Sequence, residues 1–200
     1  MSRTAWIGRS IALWLAWLPA IALPQVVRDG TIGPGASLQP VGPAYLIPQS
    51  MGALAGSNLF HSFGKFGLAT GETATFTPNG ATSPVGNVIG RVTGGAPSSI
   101  DGKIQSNIAG ANVYLINPNG IVFGPNAAIN VSGAFRASTA DYVRMSDGGR
   151  FQATNPDAST LTAASAAMGR RCVNLLNEII CVMKSNVRSR QREASIRSRG

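Results

Sequence analysis

Cysteine is missing from the body of this chain: both copies, Cys172 and Cys181, sit near the C-terminal end. That excludes a disulfide framework and a thiolate metal site from the body, and no disulfide-linked oligomer is expected. Histidine is represented once, by His61. One imidazole with no cysteine nearby offers no metal site, and no Ser–His–Asp or Cys–His arrangement can be argued around it, so no catalytic residue, metal or cofactor is expected. Long apolar runs are absent too. The one candidate, Ile11–Leu18, is interrupted by Pro19 and falls short of the ~20 residues a spanning helix needs. Positive charge is also scarce where it would matter. The formal net charge is +9, but residues 1–24 carry +2, residues 170–200 carry +6 and residues 25–169 only +1. A nucleic-acid footprint belongs on a folded domain, and this body is nearly neutral, so no nucleic-acid partner is expected.

What is present divides into three parts. Residues 1–22 read as a signal peptide: Arg3 and Arg9 form a positive start, Ile11–Leu18 an apolar stretch, and Ala20-Ile21-Ala22 a small-x-small cleavage pattern. Residues 23–163 form the body, at roughly 140 residues large enough to bury a core. Residues 164–200 change composition abruptly. Val173–Met183 is apolar with helical spacing, and the arginine- and serine-rich end that follows reads as a basic, helical or disordered tail, or as aberrant sequence standing where a passenger belongs.

Within the body, turn signals recur every few residues. Gln25–Val27, Tyr45–Ile47, Thr73–Thr77, Val88–Val92, Val113–Ile116 and Ile121–Phe123 are short and β-prone, separated by Pro78-Asn79-Gly80, Thr93-Gly94-Gly95, Asp101-Gly102 and Gly124-Pro125-Asn126. A sandwich, a barrel or a β-solenoid fits this grammar. A repeat favours the last: Ile100, Ile108 and Tyr114 recur 21 residues on as Ile121, Ile129 and Phe135, and a further step fails at Arg150 and Pro156. Phe60, Phe63 and Phe66, spaced by three, fit a helix, a 3₁₀ turn or an aromatic cap. Asn117-Pro118-Asn119-Gly120-Ile121 is a turn in which every residue has a job. Asn117 accepts a backbone hydrogen bond, Pro118 pre-sets φ, Asn119 tolerates the third position and Gly120 closes it.

These motifs, taken in order, resemble one family. Asn58–Phe63 (NLFHSF), Thr70–Ala74 (TGETA), Arg91–Gly95 (RVTGG), Ser98–Gly102 (SSIDG), Gly110–Gly124 (GANVYLINPNGIVFG) and Ala137–Tyr142 (ASTADY) are similar to the N-terminal two-partner secretion domain of filamentous-haemagglutinin-type exoproteins. The resemblance spans about Gly52 to Ala163. It implies an all-β fold, a right-handed parallel β-helix with an N-terminal cap and extra-helical β elements. It also implies a partner, a POTRA-bearing outer-membrane β-barrel transporter that engages the chain in the periplasm on its way to the cell surface or medium. A host-surface or carbohydrate ligand would belong to a passenger beyond this domain. The family's turn maps onto Asn117, Pro118, Asn119, Gly120 and Ile121; its second turn, Asn-Pro-Asn-Leu, has no counterpart. Asn58, Leu59, Phe60, His61, Ser62 and Phe63 form the expected cap motif.

Two rival readings remain open at this stage. Parallel β-helices include carboxylate-dependent polysaccharide enzymes, and Asp101, Asp141 and Asp147 are the candidates, although each sits in a turn-like context. The other rival is an adhesive or structural module that needs no transporter. Asn130-Val131-Ser132 matches a glycosylation sequon and reads more simply as strand and turn.

Overall fold

The computed structural model describes residues 26–33, 38, 43–78 and 84–167, together with the backbone of 173–175 and 178–180. The expected signal peptide, and the tail apart from those two short segments, lie outside the described residues. Short strands β1 (Val26–Arg28), β2 (Ala44–Pro48) and β3 (Ala53–Ala55) precede β4 (Asn58–Phe66). Then follow β5 (Thr73–Thr77), β6 (Asn87–Val92), β7 (Ser98–Ile100), β8 (Lys103–Ser106) and β9 (Asn112–Ile116). A last coil holds β10 (Ile121–Phe123), β11 (Ala128–Asn130) and β12 (Phe135–Ser138).

Pairing is parallel between successive coils and builds a three-faced β-solenoid of about three turns. The first face stacks β4, β6, β9 and β12; the second stacks Leu68, β7 and β10; the third stacks β2, β5, β8 and β11. β1 and β3 run antiparallel along the free edge of β4 and cover it, which removes one exposed row of backbone donors and acceptors. After β12 the chain leaves the solenoid. β13 (Tyr142–Met145) pairs antiparallel with β14 (Arg150–Gln152) and with β15 (Ala166–Ala167), so ordered pairing reaches past Ala163. Two further strands, β16 (Val173–Leu175) and β17 (Glu178–Ile180), pair antiparallel where the apolar spacing suggests helix.

Alternation along each strand sorts side chains into two cores. Leu59, Phe63, Val88, Val92, Val113, Leu115 and Phe135 point into the solenoid, where they meet Tyr45, Phe76, Ile100 and Ile104 from the other faces. Phe60, Ile89, Tyr114 and Ile116 point outward from the first face and are covered by Val143, Met145, Phe151 and Ala153 of the external hairpin. The Phe60 and Phe151 rings lie 4.9 Å apart between centroids. Burying one such ring contributes ~2–3 kcal/mol.

Two expectations need correction. The three-residue spacing of Phe60, Phe63 and Phe66 reflects neither a helix nor a 3₁₀ turn. These residues lie on one nine-residue strand whose pairing with β1 skips Gly64, and this bulge brings Phe63 and Phe66 onto the same inner side with ring centroids 5.1 Å apart. The constant 21-residue period also fails, while the solenoid stands. Asn87 lies over Asn58 (29 residues on), Ile129 over Ile104 (25), Phe123 over Ile100 (23) and Phe135 over Val113 (22). Corners of different length keep strands in register while the spacing in sequence drifts, so only a part of the stack repeats visibly.

Candidate functional site: stacked corners tied by buried polar groups

The corner between the first and second faces is one column built from successive coils. In the first coil it passes through Phe63 and Gly64, in the second through Thr93 to Ala96, in the third through Asn117 to Gly120, and it ends at Ser138. Backbone bonds join the storeys: Thr93 N–H donates to Phe63 O (2.8 Å) and Asn117 N–H to Ser138 O (3.0 Å). The sequence segments Asn58–Phe63, Arg91–Gly95, Asn117–Ile121 and Ala137–Tyr142, scattered over more than eighty positions, thus meet in one place.

Asn117 is fully buried, and its amide is used on both sides. Nδ2 donates to Ala96 O (3.1 Å) and Ser98 Oγ (3.0 Å), while Oδ1 accepts from the Asn119 N–H (3.0 Å) in an Asx turn. Asn119 is exposed, yet its Nδ2 reaches down to Gly94 O at 2.7 Å. Pro118 and Gly120 are half-buried, and Ile121 is buried against the core over Ser98. Gly120 has φ +115°, a conformation other residues resist, and its N–H closes the turn onto Asn117 O at 3.0 Å. At Gly94 a Cβ would overlap the Gly64 carbonyl oxygen, so the storeys approach as closely as they do because position 94 lacks a side chain.

All six residues from Asn58 to Phe63 are buried. Asn58 begins an asparagine ladder running up the first face: Asn87 Nδ2 donates to Asn58 Oδ1 (2.8 Å), Asn112 Nδ2 to Asn87 Oδ1 (3.0 Å), and Asn112 Oδ1 accepts from Ala134 N–H (2.9 Å). Asn58 Nδ2 in turn donates to Thr162 O (2.9 Å) and Ala164 O (2.6 Å), fastening the C-terminal segment to the first coil. Replacing Asn87 with alanine, in the middle of this ladder, is expected to cost about 1–2 kcal/mol, measured as a shift in the urea midpoint of the purified protein.

His61 points into the solenoid beside Phe63 and Phe76, with ring centroids 6.1 and 5.5 Å away. Its Nε2 is buried with no hydrogen-bond partner. Burial, helped by the charge of Arg28, pushes its pKa down to about 3. The ring is neutral at physiological pH and serves as core.

Sequence reasoning quoted Arg91 within a motif but gave it no role. The residue is 1% exposed, and its guanidinium links three separate parts of the chain. Nε donates to Ser62 Oγ (2.7 Å) and Nη2 to Thr31 Oγ1 (2.8 Å); Nη1 donates to Gln152 O (2.6 Å) and Ser159 Oγ (2.5 Å). The same guanidinium lies 4.4 Å from the Phe151 ring centroid. Burial lowers its pKa, and the nearby charges of Asp29 and Asp157 oppose that; the group stays charged at any ordinary pH. Asp29 completes the network, accepting from Ser62 Oγ (2.6 Å), Thr93 Oγ1 (2.7 Å) and both Thr31 donors. Burial alone raises the Asp29 pKa, but these hydrogen bonds outweigh it and hold the carboxylate below its ordinary value. A cleft of about 280 Å³ opens beside Arg91, lined also by Thr31, Ile32, Asp157, Ser159 and Leu161. Every nitrogen of the Arg91 guanidinium already has a protein acceptor. The sequence signal was faint: an arginine inside the otherwise apolar run Val88–Val92.

The acidic candidates do not converge on a catalytic geometry. Asp101 belongs to a second corner column, accepting from Thr70 Oγ1 and from Asn126 N–H (2.9 Å) and Nδ2 (3.1 Å), bonds that lower its pKa. This column unites the Thr70–Ala74 and Ser98–Gly102 motifs. Asp147 caps its own turn through Gly149 N–H (2.9 Å), and Asp141 takes part through its backbone carbonyl, which accepts from Ala153 N–H (2.7 Å). Ser132, of the sequon, ties the third corner by accepting from Gly110 N–H at 2.8 Å. Among the described residues no three His, Cys, Asp or Glu side chains are grouped to hold a metal ion, and no helix is long and apolar enough to cross a membrane.

Comparison with known proteins gives this column of motifs its context. The family model described as the TPS secretion domain matches residues 25–180. The chain belongs to this family. TPS domains are the secretion domains of two-partner exoproteins, which pass the outer membrane with a transporter partner, and the family is not an enzyme family. Two heme/hemopexin-binding proteins of Haemophilus influenzae are similar: one is 49% identical over 59 residues (30% of this chain), the other 46% over 57 residues (28%). This chain covers 6% of the length of each. The crystal structure of the HMW1 secretion domain from Haemophilus influenzae aligns over 52% of this chain and 24% of its own, with 30% identity and a TM-score of 0.40.

Proposed function

We propose that this TPS domain is the targeting segment of a filamentous haemagglutinin-like exoprotein of the adhesin type, recognised in the periplasm by the POTRA domains of a dedicated outer-membrane β-barrel. In this reading residues 1–22 direct export across the inner membrane. The body then crosses the outer membrane unfolded and completes its solenoid outside. The observation that supports it most is the family match over residues 25–180, which includes every turn motif of the corner columns.

Physical features of the chain agree with threading followed by folding. The body has no cysteine to cross-link it in the periplasm. Its stabilising contacts are long-range in sequence: Arg91 meets residues 60–68 positions away, and Asn58 meets residues 104 and 106 positions away. Such contacts form slowly, which leaves an interval for transport. In that interval strand edges of the body are free to add to strands of the POTRA domains, with backbone bonds supplying the affinity. Adhesive or ligand-binding activity belongs to a passenger outside the secretion domain.

Co-expression with and without the POTRA-bearing transporter encoded nearest the gene tests the reading. The chain is expected in the medium only when the transporter is present, and in the periplasm otherwise. Equal amounts in the medium in both strains would overturn it and favour a module that needs no partner.

A further inference from the structure

We propose that His61 is an acid-sensitive latch on the folding of this domain, so that mild acidification shifts the equilibrium away from the closed solenoid and towards the open chain. The inference rests on the threading reading above only for its biological use; the latch itself is a property of the fold.

The geometry carries it. His61 pairs with Gly90 on the neighbouring coil, and its ring sits in the first turn of the solenoid between Phe63 and Phe76. It is 2% exposed, and Nε2 has no acceptor within reach. A proton added there creates a cation with no partner in an apolar core, which is costly enough that the ring must leave or stay neutral. No neighbouring element supplies an acceptor to Nε2; β2, paired with β5, contributes Tyr45, whose hydroxyl donates to Glu72 Oε1 at 3.1 Å. β1 contributes Arg28, whose positive charge repels an imidazolium. The Gln49–Ala55 turn and strand, which approach through Gly52, carry no ionisable side chain, and neither does β5. On β6 the ionisable group is Arg91, again positive, directed to the opposite side of the sheet with Ser62 and Asp29.

The sign follows from linkage. An unfolded chain binds the proton with a pKa near 6.5 and the folded one only near about 3. Stability is therefore complete above the unfolded value and falls as pH drops below it, because the unfolded state binds more protons. Between about pH 7.5 and 5.0 the unfolding constant is expected to rise about thirtyfold from this residue alone. Asp29 and Asp101, held below ordinary aspartate values, add their own losses only at lower pH. His61 is the single histidine in the chain, so this window belongs to it.

Two measurements on the full chain decide the matter. Urea denaturation at constant ionic strength between about pH 7.5 and 5.0 is expected to show the thirtyfold rise in wild type and a nearly flat profile in His61→Leu. Proton NMR of the wild type needs no variant to fold: its one imidazole C2–H signal is expected not to titrate in the folded state over that range. A titration midpoint near 6.5 in the folded protein, or equal pH slopes in wild type and His61→Leu, overturns the proposal. Neither measurement involves a transporter, so a flat wild-type profile removes the latch and leaves the secretion reading standing. Transporter-independent export would do the reverse.

Discussion

Replacing Arg91 with methionine is expected to destabilise the folded domain by about 3–5 kcal/mol, the range typical of breaking a buried charged network by removing one partner. Three groups of acceptors lose their donor together: Ser62 Oγ on the first coil, Thr31 Oγ1 in the segment after β1, and Gln152 O with Ser159 Oγ at the hairpin. Asp29, bonded to the same Ser62 and Thr31 hydroxyls, keeps its charge but loses the compensating cation. Methionine restores much of the packing over Phe151, so the loss reports on the hydrogen bonds more than on volume. Lysine is not expected to rescue the site, because a single ammonium cannot donate along the three directions the guanidinium uses. Urea denaturation of the purified chain is the check, and a shift below about 0.5 kcal/mol, the level of a neutral surface change, would show that the network is dispensable.

The second large effect is expected at the corner turn, where two asparagines of one motif should behave differently. Asn117→Leu leaves Ala96 O, Ser98 Oγ and the Asn119 N–H without their partner inside a closed corner. Ser98 is buried while Ala96 and Asn119 are exposed residues, so at ~1–3 kcal/mol for a buried group left unpaired and less for the other two a loss of about 2–4 kcal/mol follows. Asn119→Leu removes one bond to Gly94 O at an exposed position, and about 1 kcal/mol is the expected loss. Export through the transporter separates the meanings of the two. If the turn is only a corner, secretion should track stability and fall mainly for Asn117→Leu. If the exposed edge is also read by the transporter, Asn119→Leu should reduce secretion at least as far as Asn117→Leu despite its smaller loss of stability. Wild-type secretion by both variants would remove the turn from recognition and from export-competent folding alike.

The corner columns also account for residues whose exposure argues against direct recognition in the folded state. Asn58, Leu59, Phe60, His61, Ser62 and Phe63 are all buried. A partner therefore meets them only before the solenoid closes, which agrees with recognition of an open chain. Their effect on secretion should then run through folding.

Much of this molecule was legible from local chemistry. Short apolar stretches bounded by Gly, Pro and Asn located β1, β2, β5, β6, β9 and β10, since a strand needs only a few β-prone residues and a turn needs specific φ values. Thr73–Thr77 and Ile121–Phe123 match the observed strands residue for residue. Family membership was likewise carried by ordered motifs. What local chemistry could not determine was which distant residues meet. Coil spacings of 29, 25, 23 and 22 residues hide the stacking from a search for one period. The bulge at Gly64, which puts Phe63 and Phe66 on the same inner side at a helix-like spacing, appears only in the pairing of β1 with β4. The asparagine ladder, the burial of Arg91 and the hairpin over Phe60, Ile89 and Tyr114 join residues 22 to 106 positions apart. Those contacts are properties of the closed stack: each polar group is satisfied only once the coil beside it, or the hairpin outside it, has arrived. The amino-acid sequence alone determined six of the strands, most corners and the family; the tertiary structure decided that the corners stand in columns and that a buried arginine ties the segment after β1, the solenoid and the hairpin together.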